Sequence, residues 1–94
     1  MSEAKGKVAL ITGANKGIGF ETARQLGALG VTVLVGARDR KKGEAAAAEL
    51  KREGIDARAL KLDVVDDGDR KAAAKYIEKE FGRLDILVNN AGIA

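Results

Sequence analysis

The sequence predicts an α/β fold in which seven elements alternate as βαβαβαβ and build a three-layer domain around a parallel sheet. Strand-length apolar runs, such as residues 8–11, lack the alternation of strands that face water on one side. Each of the first three runs is followed by a segment with helical apolar spacing that ends near a glycine. Right-handed crossovers with strand order 3-2-1-4 then place the first two helices on one face and the third on the other.

The first predicted strand, residues 8–11, leads through a glycine-rich turn into a helix over residues 18–29 that ends at Gly30. One stripe of this helix, at intervals of three and four, is expected to face the sheet. The stripe consists of Ile18, Thr22, Leu26 and Leu29, with Glu21, Arg24 and Gln25 off it.

The second predicted strand covers residues 31–37, and Asp39 is a candidate N-cap for a helix over residues 40–52. Residues 57–64 predict an edge strand, in which only Arg58 interrupts the apolar pattern. A third helix is predicted over residues 67–81. The expected sheet-facing residues are Ala46, Ala47 and Leu50 of the second helix, Leu60, Leu62 and Val64 of the strand, and Ala73, Ala74, Ile77 and Phe81 of the third helix.

Residues 85–92, DILVNNAG, predict a fourth buried strand and a polar turn. In the predicted order this strand is an edge, yet Ile86, Leu87 and Val88 have the composition of an interior strand and no lysine or proline discourages pairing. The third helix alone covers its face of the sheet. We therefore expect a homodimer that forms through the edge of the fourth strand or through the under-covered sheet face.

Composition limits the class of protein. Ninety-four residues suit one small domain, residues 1–94, and 17 basic residues scattered among 14 acidic ones, with few aromatic residues, argue against a nucleic-acid partner. The absence of His and Cys excludes a zinc site, a disulfide scaffold and a histidine-based hydrolase triad. Since no apolar run reaches membrane length and the first seven residues are mostly polar, we expect a cytoplasmic protein without a membrane partner.

The strongest functional signal is the turn Thr12-Gly13-x-x-x-Gly17-Ile18-Gly19. The first N–H groups of a helix have no internal partner, and the helix dipole adds partial positive charge there, so such a turn favours an anion. Gly13 lets the chain leave the strand steeply, Gly17 keeps a Cβ away from a ligand, and Gly19 lets helix and strand approach closely. The alternative is a glycine-rich turn that binds nothing.

TGANKGIG, together with LDV at 62–64 and NNAG at 89–92, resembles the short-chain dehydrogenase/reductase family. The segments NKGIGFETARQLG, ARDRKKGEAA and VNNAGIA are most similar to its carbonyl-reductase and menthone-reductase branch, which uses NADPH. The resemblance covers nearly the whole chain. It implies the NADP(H)-binding, Rossmann-type N-terminal half of an oxidoreductase.

The resemblance also implies which residues contact the dinucleotide: Asp63 and Val64 the adenine, and the turn at residues 90–92 the ribose and nicotinamide side. The full set is Gly13, Asn15, Lys16, Gly17, Ile18, Gly19, Arg38, Asp63, Val64, Asn90, Ala91 and Gly92. Each group has a plainer alternative. Asp63 could satisfy backbone donors at a strand end, and Asn89 and Asn90 could tie neighbouring strands together.

Charge at the end of the second strand favours NADP over NAD. NAD-using relatives carry an acid where this chain has Ala37, and Arg38 and Lys16 offer positive charge to a 2′-phosphate. The alternative is that both are ordinary solvated residues. Asp39 could pair with Arg38 or cap the next helix, and either role would weaken the preference.

The family's catalytic serine and Tyr-x-x-x-Lys pair are absent, since the only tyrosine, Tyr76, is followed four residues later by Glu80 and the only serine is Ser2. We expect Tyr76 to be a partly buried helix residue and the chain to have no catalytic residue. Three hypotheses stay open. The chain is a cofactor-binding module without catalysis, a structural or designed unit that self-associates without binding cofactor, or part of an enzyme whose catalytic half comes from elsewhere.

Overall fold

The computed structural model describes residues 5–90. Its elements are β1 (Val8–Thr12), α1 (Gly17–Ala28), β2 (Thr32–Ala37), α2 (Arg40–Arg52), β3 (Ala57–Lys61), α3 (Asp67–Phe81) and β4 (Ile86–Val88). The four strands are parallel and form one sheet in the order β3-β2-β1-β4. The predicted fold class and strand order are confirmed.

The sheet separates two apolar clusters, because successive residues of a strand point to opposite faces. On one face, Ala9, Ile11, Val33 and Val35 pack with buried residues of α1 and α2. On the other, Val8, Leu10 and Leu34 pack with α3. Two helices therefore cover one face and one helix the other, as predicted.

The buried face of α1 differs from the predicted stripe. Its buried residues are Gly19 and Ala23, whereas Ile18 is 80% exposed and Leu29 is 56% exposed. Phe20 and Leu26 pack partly buried beside the core. The stripe was wrong because α1 contacts the sheet through its smallest residues, which permit a close approach that a large side chain prevents.

The predictions for α2 and β3 agree with the structure, apart from the length of the strand. Asp39 Oδ1 accepts a hydrogen bond from Lys42 N at 3.0 Å and so caps α2. The predicted sheet-facing residues Ala46, Ala47 and Leu50 are buried. β3 is an edge strand that ends at Lys61, but Leu62 and Val64 beyond it still pack in the cluster under α3.

The face under α3 is only partly covered. Ala73 and Ile77 are buried as predicted, and Phe81 packs partly buried against their cluster, but Ala74 is exposed. β4 is not a buried strand, because Leu87 is 61% exposed. A groove of about 490 Å³ separates α3 from β4, and Ala74, Leu84 and Leu87 are among the residues that line it.

Candidate functional site

The predicted site residues that the structure describes follow the carboxyl ends of the strands or begin the helix after β1. Gly13 follows β1, Arg38 follows β2, Asp63 lies two residues beyond β3, and Asn90 lies two residues beyond β4. Because the strands are parallel, these ends share one edge of the sheet, with the topological switch between β1 and β4. Ala91 and Gly92 lie outside the described residues.

The turn between β1 and α1 has the shape of an anion site. Gly13 and Gly17 have φ of 62° and 64°, a left-handed conformation that glycine adopts without strain. Between them, Ala14 N donates to Gly36 O at 3.0 Å, which fastens the turn to β2. α1 begins without a side-chain cap and without an acidic residue in its first turn. Its first N–H groups and the positive end of its dipole therefore face the turn uncompensated.

Gly19 brings α1 against the ends of β1 and β4. A Cβ built on Gly19 would lie 2.6 Å from Gly13 O, 2.7 Å from Asn90 Nδ2 and 3.1 Å from Ala14 Cα. Two of these three neighbours are backbone atoms. The close approach predicted for this glycine is confirmed.

A hydrogen-bond network around Thr12 joins the ends of β1 and β4. Thr12 is buried, and its Oγ1 donates to Asn89 Oδ1 at 3.2 Å and accepts from Asn90 N at 2.9 Å. Asn90 Nδ2 donates to Gly13 O at 3.2 Å. Asn89 and Asn90 thus tie the two strands together, which was the plainer of their two predicted roles. Thr12 was missed as a site residue, although a threonine directly before the first glycine was the available signal.

Basic side chains lie next to this turn. Lys16 is exposed and lines a groove of about 470 Å³ with Asn15, Phe20 and Lys42. Sequence reasoning did not select Lys42, because α1 and α2 come together only in the fold. Arg38 is exposed, and within residues 5–90 its guanidinium makes no ion pair.

Neither Asp39 nor Ala37 places a carboxylate in an ion pair with Arg38 within residues 5–90. Asp39 accepts from Lys42 N at the start of α2, so of its two predicted roles the structure has the capping one. Ala37 is only 2% exposed and faces α2, where a Cβ built on Gly43 would lie 3.2 Å from the Ala37 Cβ. A carboxylate at position 37 would therefore have to enter a closely packed contact.

The loop after β3 is held by hydrogen bonds to its own residues and to α3. Asp63 Oδ1 accepts from Val65 N at 3.2 Å, so the carboxylate does satisfy a local backbone donor. Asp63 N donates to Asp69 Oδ2 at 2.9 Å, and Lys61 Nζ lies 2.7 Å from the same oxygen. The hydrogen bonds from Lys61 and from the Asp63 backbone lower the pKa of Asp69. Val64 packs partly buried against the α3 cluster.

Three further sequence predictions concern the position of Tyr76, groups that could bind a metal ion, and helices that could span a membrane. Tyr76 is half-buried on α3, with its ring 6.3 Å from that of Phe81, near the end of the helix that leads towards the start of β4. In the part of the chain that the structure describes, no three acidic, His or Cys side chains form a group that could hold a metal ion. Nor does any helix between residues 5 and 90 have the length and hydropathy of a membrane span.

Comparisons with known proteins agree with this geometry. The chain is 48% identical over 94 residues to "Short-chain dehydrogenase/reductase 1" of Saponaria officinalis, which covers 97% of this chain and 31% of the relative. It is 46% identical over 89 residues to "Carbonyl reductase [NADPH] 1" of Sus scrofa, covering 94% of this chain and 31% of that protein. The chain spans about a third of the length of these curated relatives.

Solved structures of short-chain reductases are similar to this chain in fold as well as in sequence. The menthone neomenthol reductase of Mentha piperita superposes with a TM-score of 0.88 at 44% identity, over 93% of this chain and 32% of the other. A metagenomic short-chain oxidoreductase in complex with NADP superposes with a TM-score of 0.88 at 40% identity, over 95% of this chain and 40% of the other. Residues 7–94 match the family described as short chain dehydrogenase. The chain therefore belongs to the short-chain dehydrogenase family.

Proposed function

We propose that this chain is the NADP(H)-binding portion of an oxidoreductase of the short-chain dehydrogenase family. The observation that carries the proposal is the uncapped start of α1 behind two left-handed glycines, Gly13 and Gly17, at the topological switch of the sheet. Backbone N–H groups in that position suit a pyrophosphate. No side chain of residues 5–90 occupies them as a cap.

The other site residues follow the order of a dinucleotide along this edge. The turn of residues 13–19, including Asn15 and Ile18, would receive the pyrophosphate, and Asp63 with Val64 would contact the adenine. Asn90 and its neighbours Ala91 and Gly92 would lie along the ribose and nicotinamide. Bound NADPH would supply the hydride, while the residues of this chain hold and orient the cofactor.

A preference for NADP(H) over NAD(H) rests on Arg38 and Lys16. No acidic side chain of residues 5–90 forms an ion pair with Arg38, Asp39 accepts from Lys42 N as a cap, and Lys16 stands exposed at the start of α1. Each charge-assisted hydrogen bond to a 2′-phosphate contributes about 1.5–3 kcal/mol, so two would favour NADP by about a hundredfold or more. Among the solved neighbours one is named as an NADP complex and another as an NADH complex, so this chain's own residues decide.

The chain by itself would not reduce carbonyl compounds. It lacks the serine and the Tyr-x-x-x-Lys pair that the family uses, and Tyr76 is remote from the carboxyl edge. The remaining hypotheses are a catalytic portion supplied by another polypeptide and a structural unit that binds no cofactor. Mixing the chain with the complementary portion of a carbonyl reductase and assaying NADPH oxidation tests the first of these.

Calorimetric titration with NADPH, paired with thermal unfolding, tests the proposed function. A ligand that binds only the folded state at a hundred times its Kd stabilises it by about 2.7 kcal/mol, which raises the Tm of a domain this small by about 10 °C or more. If millimolar NADPH gave neither a heat of binding nor a rise in Tm, the proposed function would fail, and the hypothesis of a structural unit that binds no cofactor would replace it.

We also propose that the chain forms a homodimer through the β4 edge or the under-covered face. Within residues 5–90, β4 pairs only with β1, so its outer edge offers unpaired backbone groups. Leu87 is 61% exposed, Leu84 is 36% exposed, and both line the groove beside α3. A two-fold contact would cover these residues in both copies.

The expected cytoplasmic location stays a prediction, which cell fractionation would check.

A further inference from the structure

The carboxylate of Asp69 joins α3 to the loop that follows β3. Its Oδ2 accepts a hydrogen bond from Asp63 N at 2.9 Å and lies 2.7 Å from Lys61 Nζ. The Asp69 side chain is only 19% exposed, whereas that of Lys61 is 41% exposed. The bond to the loop backbone is therefore the sheltered one, and the ion pair with lysine stands at the surface, where such pairs contribute little.

This arrangement departs from the usual start of a helix. In a capping box, the side chain of the third helical residue returns to the N–H of the N-cap residue. Here the N-cap is Asp66, whose Oδ1 accepts from Asp69 N at 2.9 Å, but Asp66 N donates to Asp63 O at 2.9 Å instead. The Asp69 carboxylate thus reaches past the cap and accepts from Asp63 N. The first turn of α3 and the loop become one hydrogen-bonded unit.

The shape of this unit determines what Asp63 offers to a ligand. Asp63 Oδ1 is used by Val65 N at 3.2 Å, while Asp63 Oδ2 has no hydrogen-bond partner within residues 5–90. On the other side, Leu62 N donates to Ala37 O at 2.8 Å and fixes the loop to β2. One acceptor oxygen is therefore presented at the carboxyl edge, and its direction depends on the backbone that Asp69 holds.

We infer that Asp69 is a positioning residue, whose carboxylate holds residues 62–65 in the shape that receives the adenine end of the cofactor. The inference rests on the proposed function, since it assigns a role within that cofactor site. Asp69 does not touch the cofactor itself. It acts through the backbone of Asp63.

The test is calorimetric titration with 2′,5′-ADP, which has the adenine and both ribose phosphates but no nicotinamide. Asp69→Ala should weaken its binding about tenfold, and Asp69→Asn, which keeps an acceptor oxygen, should recover part of the loss. Lys61→Met removes the ion pair but keeps the bond to Asp63 N, so it should change the Kd less than about twofold. Asp66→Ala is the matched control, because it removes a carboxylate and a cap from the same helical turn but no bond to Asp63 N.

A second readout follows the loop directly. Exchange of the Asp63 amide hydrogen, measured by NMR on the unliganded chain, should quicken in Asp69→Ala and stay unchanged in Asp66→Ala. Equal affinity of Asp69→Ala and the unmodified chain, or an equal loss in Asp66→Ala, would overturn the positioning role and leave the proposed function intact. If the unmodified chain binds neither 2′,5′-ADP nor NADPH, the proposed function fails, and the inference fails with it.

Discussion

Gly19→Ala perturbs the point where α1 approaches the ends of β1 and β4 most closely. The new methyl group would lie 2.6 Å from Gly13 O, 2.7 Å from Asn90 Nδ2 and 3.1 Å from Ala14 Cα. Two of these atoms belong to the backbone of the turn, so no rotation of a side chain can relieve the overlap. Either α1 moves away from the sheet, or the backbone of the turn shifts at Gly13 and strains the bond that Gly13 O accepts from Asn90 Nδ2.

The expected loss of stability follows from two opposing effects. Overpacking a close contact costs about 1–3 kcal/mol, and contact with backbone puts this site at the upper end of that range. Replacing glycine by alanine within a helix stabilises the folded state by about 0.5–1 kcal/mol. The net loss is therefore about 2 kcal/mol, which lowers the Tm by about 8–16 °C in a domain of this size.

The matched control is Gly27→Ala in the same helix. A Cβ there would overlap Cγ2 of the buried Ile55 side chain, far from the turn, so this variant is also overpacked. Thermal unfolding followed by circular dichroism measures the stability of both variants, and calorimetry with NADPH measures binding well below each Tm. We expect both variants to lose stability but only Gly19→Ala to lose cofactor affinity. An unchanged Tm for Gly19→Ala, or equal NADPH affinity in the two variants, would refute the reasoning from close approach.

Four further predictions concern specificity, catalysis, assembly and acid stability. Arg38→Leu should reduce NADPH affinity about tenfold and leave NADH affinity unchanged. Lys41→Leu on the next helix is the control and should change neither affinity. If Arg38→Leu weakened both cofactors equally, that result would contradict a contact between Arg38 and the 2′-phosphate. Carbonyl substrates with NADPH should show no turnover above background when the chain is alone, and any that persists through repurification would disprove this. Light scattering over a concentration series should find dimers that Leu87→Lys dissociates, and a monomer throughout would count against the exposed β4 edge. The Asp85 carboxylate accepts a hydrogen bond from Val8 N at 2.8 Å, and this bond lowers the pKa of Asp85. The stability that the bond contributes is therefore present above pH ~4 and is lost as the pH falls through the pKa of Asp85 in the folded state. Asp85→Asn should flatten the decline of Tm at acid pH.

Combining Arg38→Leu with Ala37→Asp would remove the proposed phosphate contact and add the acid that NAD-using relatives carry at this position. The structure argues against the second change, because Ala37 is 2% exposed against α2. A carboxylate there would be partly desolvated, which costs stability unless it finds a partner. Arg38→Leu alone therefore separates the loss of a phosphate contact from damage to the fold.

Most of the fold was predictable because each strand and helix has its own local signal. Val8 to Ile11 form an apolar run, and Asp39 and Asp66 cap the helices that follow them. The sheet face of α1 was not predictable, because hydrophobic spacing selects large residues such as Ile18, whereas the contact is made by Gly19 and Ala23. A pattern of apolarity carries no information about how closely two backbones approach.

The candidate site was predictable in part for a similar reason. Glycines and strand ends are visible in the sequence, so the carboxyl edge could be located. The pairings across that edge were not visible, because they join residues far apart in the chain. The bond from Asn90 N to Thr12 depends on tertiary placement, as does the groove that Lys42 shares with Lys16.

The tie between β1 and β4 determines when the site comes into existence during synthesis. Its bonds join residues 77 and 78 positions apart, such as Val8 to Asp85 and Thr12 to Asn90. Closing a loop of that length costs more entropy than closing the shorter βαβ units, so we expect β4 to join after those units have formed. The glycine turn leaves the ribosome before residues 85–90, and those residues must follow before the turn is fastened to β4. A nascent chain thus has no fastened glycine turn until β4 has been made.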